Sequence, residues 1–177
     1  MNRTTRRIAA TLTAVALLSA GSAATASAAP PSGTPLHPFN LVFPAGFVCN
    51  FDLRVIGTNA RSISTVVDGN TTTTVLAGNR LTFINMDDAS NRVTFPSTTV
   101  TVVATTVDAD TTLVTTTGGS IILLFPIDKS LSPNQPDGPS AYLHRGQTVF
   151  SDEAGDAADT LISAEGPSTD ICAAMSS

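Results

Sequence analysis

The chain has no tryptophan, one tyrosine, two cysteines and two histidines in 177 residues, and each scarcity excludes a class of function. Sugar-binding platforms of the common kind are built on exposed Trp and Tyr. Here only Tyr142 is available, and the eight Phe fall mostly at alternating strand positions, where they read as core. Two histidines, His37 and His144, with no His-Glu-x-x-His spacing, cannot join two paired cysteines in a structural zinc site. Gly-x-Ser-x-Gly is missing. Gly138-Pro139-Ser140-Ala141-Tyr142 supplies its first half only, in a proline-rich loop where a strand-to-helix turn is needed. Glycine-rich phosphate loops are absent as well.

Cations are scarce too. Nine Lys and Arg face fourteen Asp and Glu, for a formal charge of -5. Three of the nine, Arg3, Arg6 and Arg7, open the chain. They precede an uncharged apolar run from Ile8 to Gly21 and a small-x-small site at Ala26-Ser27-Ala28. That order is a secretory signal peptide over 1–28, too short and wrongly flanked for a membrane anchor. Arg6-Arg7 is followed by Ile8-Ala9-Ala10 and lacks the bulky pair of a twin-arginine signal, so the general secretion route is expected. No cysteine follows the apolar run to take a lipid. Cleavage after Ala28 leaves 149 residues, enough for one domain with an ordinary core. Six cations then stand against fourteen carboxylates, a net charge of -8, with Lys129 the one lysine. Such a chain has no electrostatic footprint for nucleic acid or anionic lipid. No later window approaches 18 apolar residues, so no transmembrane helix is expected.

An oxidising compartment converts the two cysteines, Cys49 and Cys172, into an expected disulfide joining the first strand to the C-terminal tail. A loop of that length contributes about 4–5 kcal/mol in the chain-entropy picture.

What is present is strand-forming material. Residues 29–45 hold five prolines and read as an extended lead-in. The domain then runs over 46–177. Phe47, Cys49, Phe51, Leu53 and Val55 alternate with Val48, Asn50, Asp52 and Arg54, a period of two. Turn signals recur at Asp68-Gly69-Asn70, Asp87-Asp88-Ala89-Ser90, Asp108-Ala109-Asp110 and Gly118-Gly119, the last read as a hairpin turn. Between them stand short runs rich in Thr and Val, which suit a pleated surface and disfavour helix. Ile121–Phe125 is continuously apolar and reads as a central strand buried on both faces. Asp170–Ala174 suits one helical turn presenting Cys172. Short strands at this spacing predict an all-β, antiparallel β-sandwich closed by one disulfide, with a small β-barrel as the alternative.

Phe43-Pro44-Ala45-Gly46, Cys49-Asn50-Phe51, Leu81-Thr82-Phe83, Thr117-Gly118-Gly119-Ser120 before Ile121-Ile122-Leu123-Leu124-Phe125-Pro126, and Asp170-Ile171-Cys172-Ala173-Ala174 follow one another in that order. In this the chain resembles a group of uncharacterised secreted actinobacterial β-rich proteins. The resemblance implies secretion, the Cys49–Cys172 pairing and a β-rich fold, and no activity.

Chemistry-bearing residues are few. His144, beside Arg145 at a strand bend, is the better-placed base, since His37 sits in the lead-in. Calcium is the one cofactor the composition suggests. Asp152, Asp156 and Asp159 cluster with Glu153, and Asp87-Asp88 and Asp108/Asp110 flank turns. Asp is equally a turn residue and a solubilising charge, and none of these runs has EF-hand spacing. The expected function is therefore a secreted binding, adhesion or cell-envelope-associated module, with an exposed apolar or Thr-rich face and a cell-envelope or extracellular protein partner. The competing expectations are a secreted hydrolase in which His144 meets a carboxylate and a hydroxyl, and a small barrel holding an apolar ligand.

Overall fold

A computed structural model describes residues 33–78, 80–95, 99–154 and 158–176. The expected signal peptide and the start of the lead-in lie outside this range. The described residues form thirteen strands and one short helix: β1 (Thr34–Pro35), β2 (Phe39–Phe43), β3 (Leu53–Thr58), β4 (Arg61–Asp68), β5 (Thr71–Ala77), β6 (Arg80–Asn85), β7 (Arg92–Phe95), β8 (Val100–Thr106), β9 (Thr111–Leu124), β10 (Lys129–Ser130), β11 (Ser140–Glu153), β12 (Thr160–Glu165), β13 (Ser168–Asp170) and α1 (Ile171–Ala174). They make two sheets packed as a sandwich. The larger runs β1-β4-β5-β8-β9-β11-β12-β10, with β13 also on β11, and the smaller runs β2-β3-β6-β7. The two sheets stay separate and do not close, so the barrel alternative falls, and with it the barrel holding an apolar ligand.

The smaller sheet follows the simplest rule of strand chemistry. In β3, Leu53 and Val55 are buried while Arg54 and Ile56 are not, and β6 alternates likewise. Register sets Val55 opposite Phe83 and Gly57 opposite Leu81, so one face is apolar. Phe83 meets Phe95 edge-on at 5.7 Å between ring centres. The other face carries Arg54, Arg80 and Arg92, three of the six cations beyond residue 28.

The larger sheet is organised by β9 and β11, both fourteen residues long and paired over their whole length. Ile121, Ile122, Leu123 and Leu124 are all buried, so both faces of β9 are covered there, as the apolar run predicts. These residues join Leu53, Val55, Phe83, Leu143, Phe150 and Leu161 in the main core.

Three sequence expectations need correction. The strand expected from Phe47 begins only at Leu53. Residues 44–52 form a turn in which Ala45 N–H donates to Asp52 Oδ1 at 2.7 Å and Phe47 N–H to the Pro44 carbonyl at 3.0 Å. The alternating Cys49 and Phe51 are still buried, because the turn folds back onto the core. The lead-in at 29–45 contains a packed strand. Pro38 and Pro44 flank Phe39–Phe43 without interrupting it, and β2 pairs along β3. Gly118-Gly119 is not a turn. It lies in the middle of β9, where Gly118 pairs with Val100 on one side and Gly146 on the other. Both glycines have positive φ, and a Cβ on either would run into a carbonyl of the neighbouring strand, Thr99 for Gly118 and Glu165 for Gly146. The glycine pair lets the backbones pass closely in a conformation other residues rarely adopt.

The disulfide forms as expected, with 5.3 Å between the Cα atoms of Cys49 and Cys172. It joins the turn before β3, and not β3 itself, to α1. Asp170 caps that helix by accepting the Ala173 N–H at 2.9 Å.

Candidate functional site

Three places in the fold carry polar chemistry or uncovered surface. The first is His144. It is fully buried on β11. Its Nδ1 lies 2.8 Å from Ser168 Oγ and its Nε2 lies 3.1 Å from the Glu165 main-chain carbonyl. A carbonyl only accepts, so in the neutral ring Nε2 carries the proton and Nδ1 takes the Ser168 hydroxyl proton. Gln135 Nε2 donates to the same hydroxyl at 2.7 Å, and Ser132 Oγ donates to Gln135 Oε1 at 2.9 Å. A hydroxyl therefore meets His144, as the hydrolase expectation requires, but the third partner is a backbone carbonyl in place of a carboxylate. The ring is enclosed, and a general base must hand its proton on to a leaving group. The arrangement is a chain of satisfied polar groups locking β11, β13 and the 130s loop together. His37, the other histidine, is exposed in the lead-in.

The second place is acidic. Asp159, at the start of β12, is pushed up to about 6 by burial first, then by the carboxylates of Asp128 and Asp152. Asp128 is buried, which raises it. Two backbone donors oppose that rise, Phe125 N–H to Oδ2 at 2.7 Å and Asp159 N–H to Oδ1 at 3.0 Å. The sequence named Asp152 and Asp159 but missed Asp128, which lies in the proline-rich loop. Asp156 falls outside the described residues. Among the described residues no group of three His, Cys, Asp or Glu is arranged to hold a metal ion. The turn aspartates act locally. Asp108 accepts the N–H groups of Asp110 and Thr111 and Asp88 accepts from Ser90, and these bonds hold both carboxyls below their usual range.

The third place is the largest. Register lines up Val66, Thr73, Val103, Thr115 and Val149 in one row across β4, β5, β8, β9 and β11. Ser64, Val75, Thr101, Thr117 and Gln147 form the row on one side, and Asp68, Thr71, Thr105, Leu113 and Ser151 the row on the other. All point to the same face, and all except Ser151 are half-buried or exposed. No element of the described chain lies over this face as the smaller sheet lies over the core. At about 4.8 Å between strands and about 6.8 Å between rows, it measures roughly 19 by 14 Å. It presents methyl groups and hydroxyls with one charge, Asp68. The opposite face of the same strands is partly closed by a second, small cluster of Leu76, Val100 and Val102.

No family model matches the chain, and neither a curated protein nor a solved structure matches it. No helix among the described residues is long and apolar enough to cross a membrane.

Proposed function

We propose that the protein is an extracellular binding module of the cell envelope that makes its contacts through the uncovered threonine and valine face of the larger sheet. The observation that carries this reading is the open row Val66–Thr73–Val103–Thr115–Val149. A contiguous face of methyl and hydroxyl groups that no described element covers offers a flat surface on which a partner can seat. Export is supported by the leader-like sequence over 1–28, the disulfide and the resemblance to secreted actinobacterial proteins. The near absence of charge on the face favours a partner surface without net charge, an envelope glycan or a neutral lipid headgroup layer. Binding needs no cofactor in this reading. Catalysis has weaker support, since His144 is enclosed and bonded to a main-chain carbonyl.

The test is co-sedimentation of the secreted protein with insoluble peptidoglycan and with neutral phosphatidylcholine vesicles, repeated with the Val103→Arg, Thr115→Arg double variant. Binding to one of them, reduced at least tenfold in the variant at unchanged melting temperature, supports the reading. Equal binding by variant and parent, or binding to neither, overturns it.

A further inference from the structure

The acidic net charge hides a basic face. Beyond residue 28 six cations stand against fourteen carboxylates, yet the two signs are not mixed evenly. Three of the six cations, Arg54, Arg80 and Arg92, lie on the outer face of the smaller sheet, and its four strands contain no Asp or Glu. Register sets Val42, Arg54, Ile84 and Arg92 in one row, and Asn40, Ile56, Thr82 and Thr94 in the next. Thr58 beside Arg80 makes a third. None of these residues is buried, and neither Ile56 nor Ile84 joins the core.

The arginines are not neutralised from within. Among the described residues the one ion pair is Lys129 with Asp137, on the larger sheet, and no carboxylate pairs with Arg54, Arg80 or Arg92. Arg54 Nε donates to Asn40 Oδ1 at 2.9 Å, which holds that side chain toward β2 and away from Arg92. Its terminal nitrogens remain for a ligand. The carboxylates at the margin of the sheet are Asp52, which accepts the Ala45 N–H, and Asp87 and Asp88 in the β6–β7 turn, where Asp88 accepts the Ser90 hydroxyl.

We infer that this face binds a linear anionic chain of the envelope, a polyol or glycan that carries phosphate or carboxylate groups at intervals. Charge complementarity sets the sign, and arginine's planar fork matches the oxygens of either group. Spacing sets the form. Arg54 and Arg92 stand two strands apart, about 10 Å, and Arg80 lies four residues along its strand, about 14 Å from either. One small anion meets one of them, whereas a chain with repeated anions meets all three. Ile56 and Ile84 lie between the arginines and give the carbon backbone of such a chain an apolar seat. Single-stranded nucleic acid fits poorly, because it needs aromatic side chains to stack its bases. Phe39, Phe43, Phe83 and Phe95 all pack on the inner face. An anionic bilayer extends past the arginines to Asp52, Asp87 and Asp88 at the margin, whereas a thread can lie along the arginines alone, and screening over about 8 Å weakens the repulsion it feels. The envelope source of the chain rests on the export reading above; the anion site does not.

The test is isothermal titration calorimetry of the secreted protein with poly(glycerol phosphate) and with polygalacturonate, at about 20 mM and about 200 mM NaCl. The expected result is binding to at least one polymer, weakened about a hundredfold by the rise in salt, as contact of three arginines with a single anionic chain requires. The polymer that binds tells phosphate from carboxylate. The Arg54→Gln, Arg92→Gln double variant binds at least tenfold more weakly at low salt, and its salt effect shrinks to about fivefold. Its melting temperature equals the parent's. Arg80→Gln, at an exposed position, gives a smaller loss in the same direction. Absence of binding to both polymers, a double variant that binds like the parent, or equal binding of inorganic phosphate overturns the inference. Tighter binding of oligothymidylate or of phosphatidylglycerol vesicles overturns it as well. Val103→Arg and Thr115→Arg lie on the other sheet and are read with neutral ligands, so either proposal can fail alone.

Discussion

The two halves of β9 are one strand by hydrogen bonding and two materials by chemistry. From Thr111 to Thr117 it carries five threonines around Leu113 and Val114, and only Thr116 is buried. From Ser120 to Leu124 it carries Ser-Ile-Ile-Leu-Leu, and every residue is buried. The paired halves of β11 change in the same place, where Gly146 faces Gly118. β-branched residues favour strand because they fit a pleated surface, covered or not, whereas burial needs an element to lie on the face. Sheet formation and core formation are therefore separable here. The threonine half is held by its ladder and by cross-strand hydroxyl pairs such as Thr71–Thr105 at 3.3 Å and Thr65–Thr74 at 3.4 Å. The apolar half is held by exclusion of water.

The most direct way to break that comparison is to place the same charge in both halves of β9. Leu123→Asp buries an unpaired carboxylate against the main core and costs more than about 4 kcal/mol, enough to abolish folding. Leu113→Asp, ten residues earlier on the same face, stays in contact with water and costs about 1 kcal/mol. Thermal melts of the two variants read the difference. Similar losses would mean that the threonine half is packed like the core.

The disulfide comes next. It encloses a separation of 123 residues and acts chiefly on the unfolded chain. Its reduction should remove about 4 kcal/mol and lower the melting temperature by about 10 °C. An unchanged melt under reductant would show that the bridge does not stabilise the fold. His144→Ala is smaller. It leaves a cavity and strips Ser168 Oγ and the Glu165 carbonyl of a partner, a loss of about 2–4 kcal/mol in chemical denaturation. A variant as stable as the parent would reduce the His144 network to incidental contacts and revive a functional role for the ring.

What was legible in the chain is what is local. Alternation placed the inward residues Leu53 and Val55 of β3, the Asp-bearing turns placed three hairpins, and the run Ile121–Phe125 announced burial on both faces. Where one signal has two physical causes, the reading failed. Gly118-Gly119 has the composition of a hairpin turn, yet glycine is also what a strand needs where a neighbouring backbone comes too close for a Cβ. The period of two from Phe47 failed at its start, because a turn there buries Val48 together with Cys49 and Phe51 and leaves Phe47 exposed. The open face was legible only as composition, many threonines in short runs. Which rows align, and that no described element covers them, depends on pairings between residues far apart in sequence. The same holds for Ser168 with His144, 24 residues apart, and for Asp128 with Asp159, 31 apart.

The acidic end of the larger sheet offers the finest test, because its contribution depends on pH. Asp159 sits at about 6 in the folded protein against an ordinary value of 3.8. Between those values the folded state holds a proton on Asp159 that the unfolded chain has released. Stability therefore falls as pH rises from about 4 to about 6, and the penalty persists at neutral pH. Because the carboxyl is only half-buried, solvent screening limits the effect to about 1 kcal/mol. Asp159→Asn removes the ionisation but keeps the backbone N–H that Asp128 accepts. It should raise neutral-pH stability by about that amount and flatten the profile between pH 4 and 6. Because Asp128 and Asp152 face the same carboxyl, Asp152→Asn should give a smaller change in the same direction. Urea titrations at pH 4.5 and pH 7.0 read both. A parent more stable at pH 7.0 than Asp159→Asn would show that the carboxylate is welcomed by its surroundings, and that the acidic end of the sheet is less crowded with like charge than its geometry indicates.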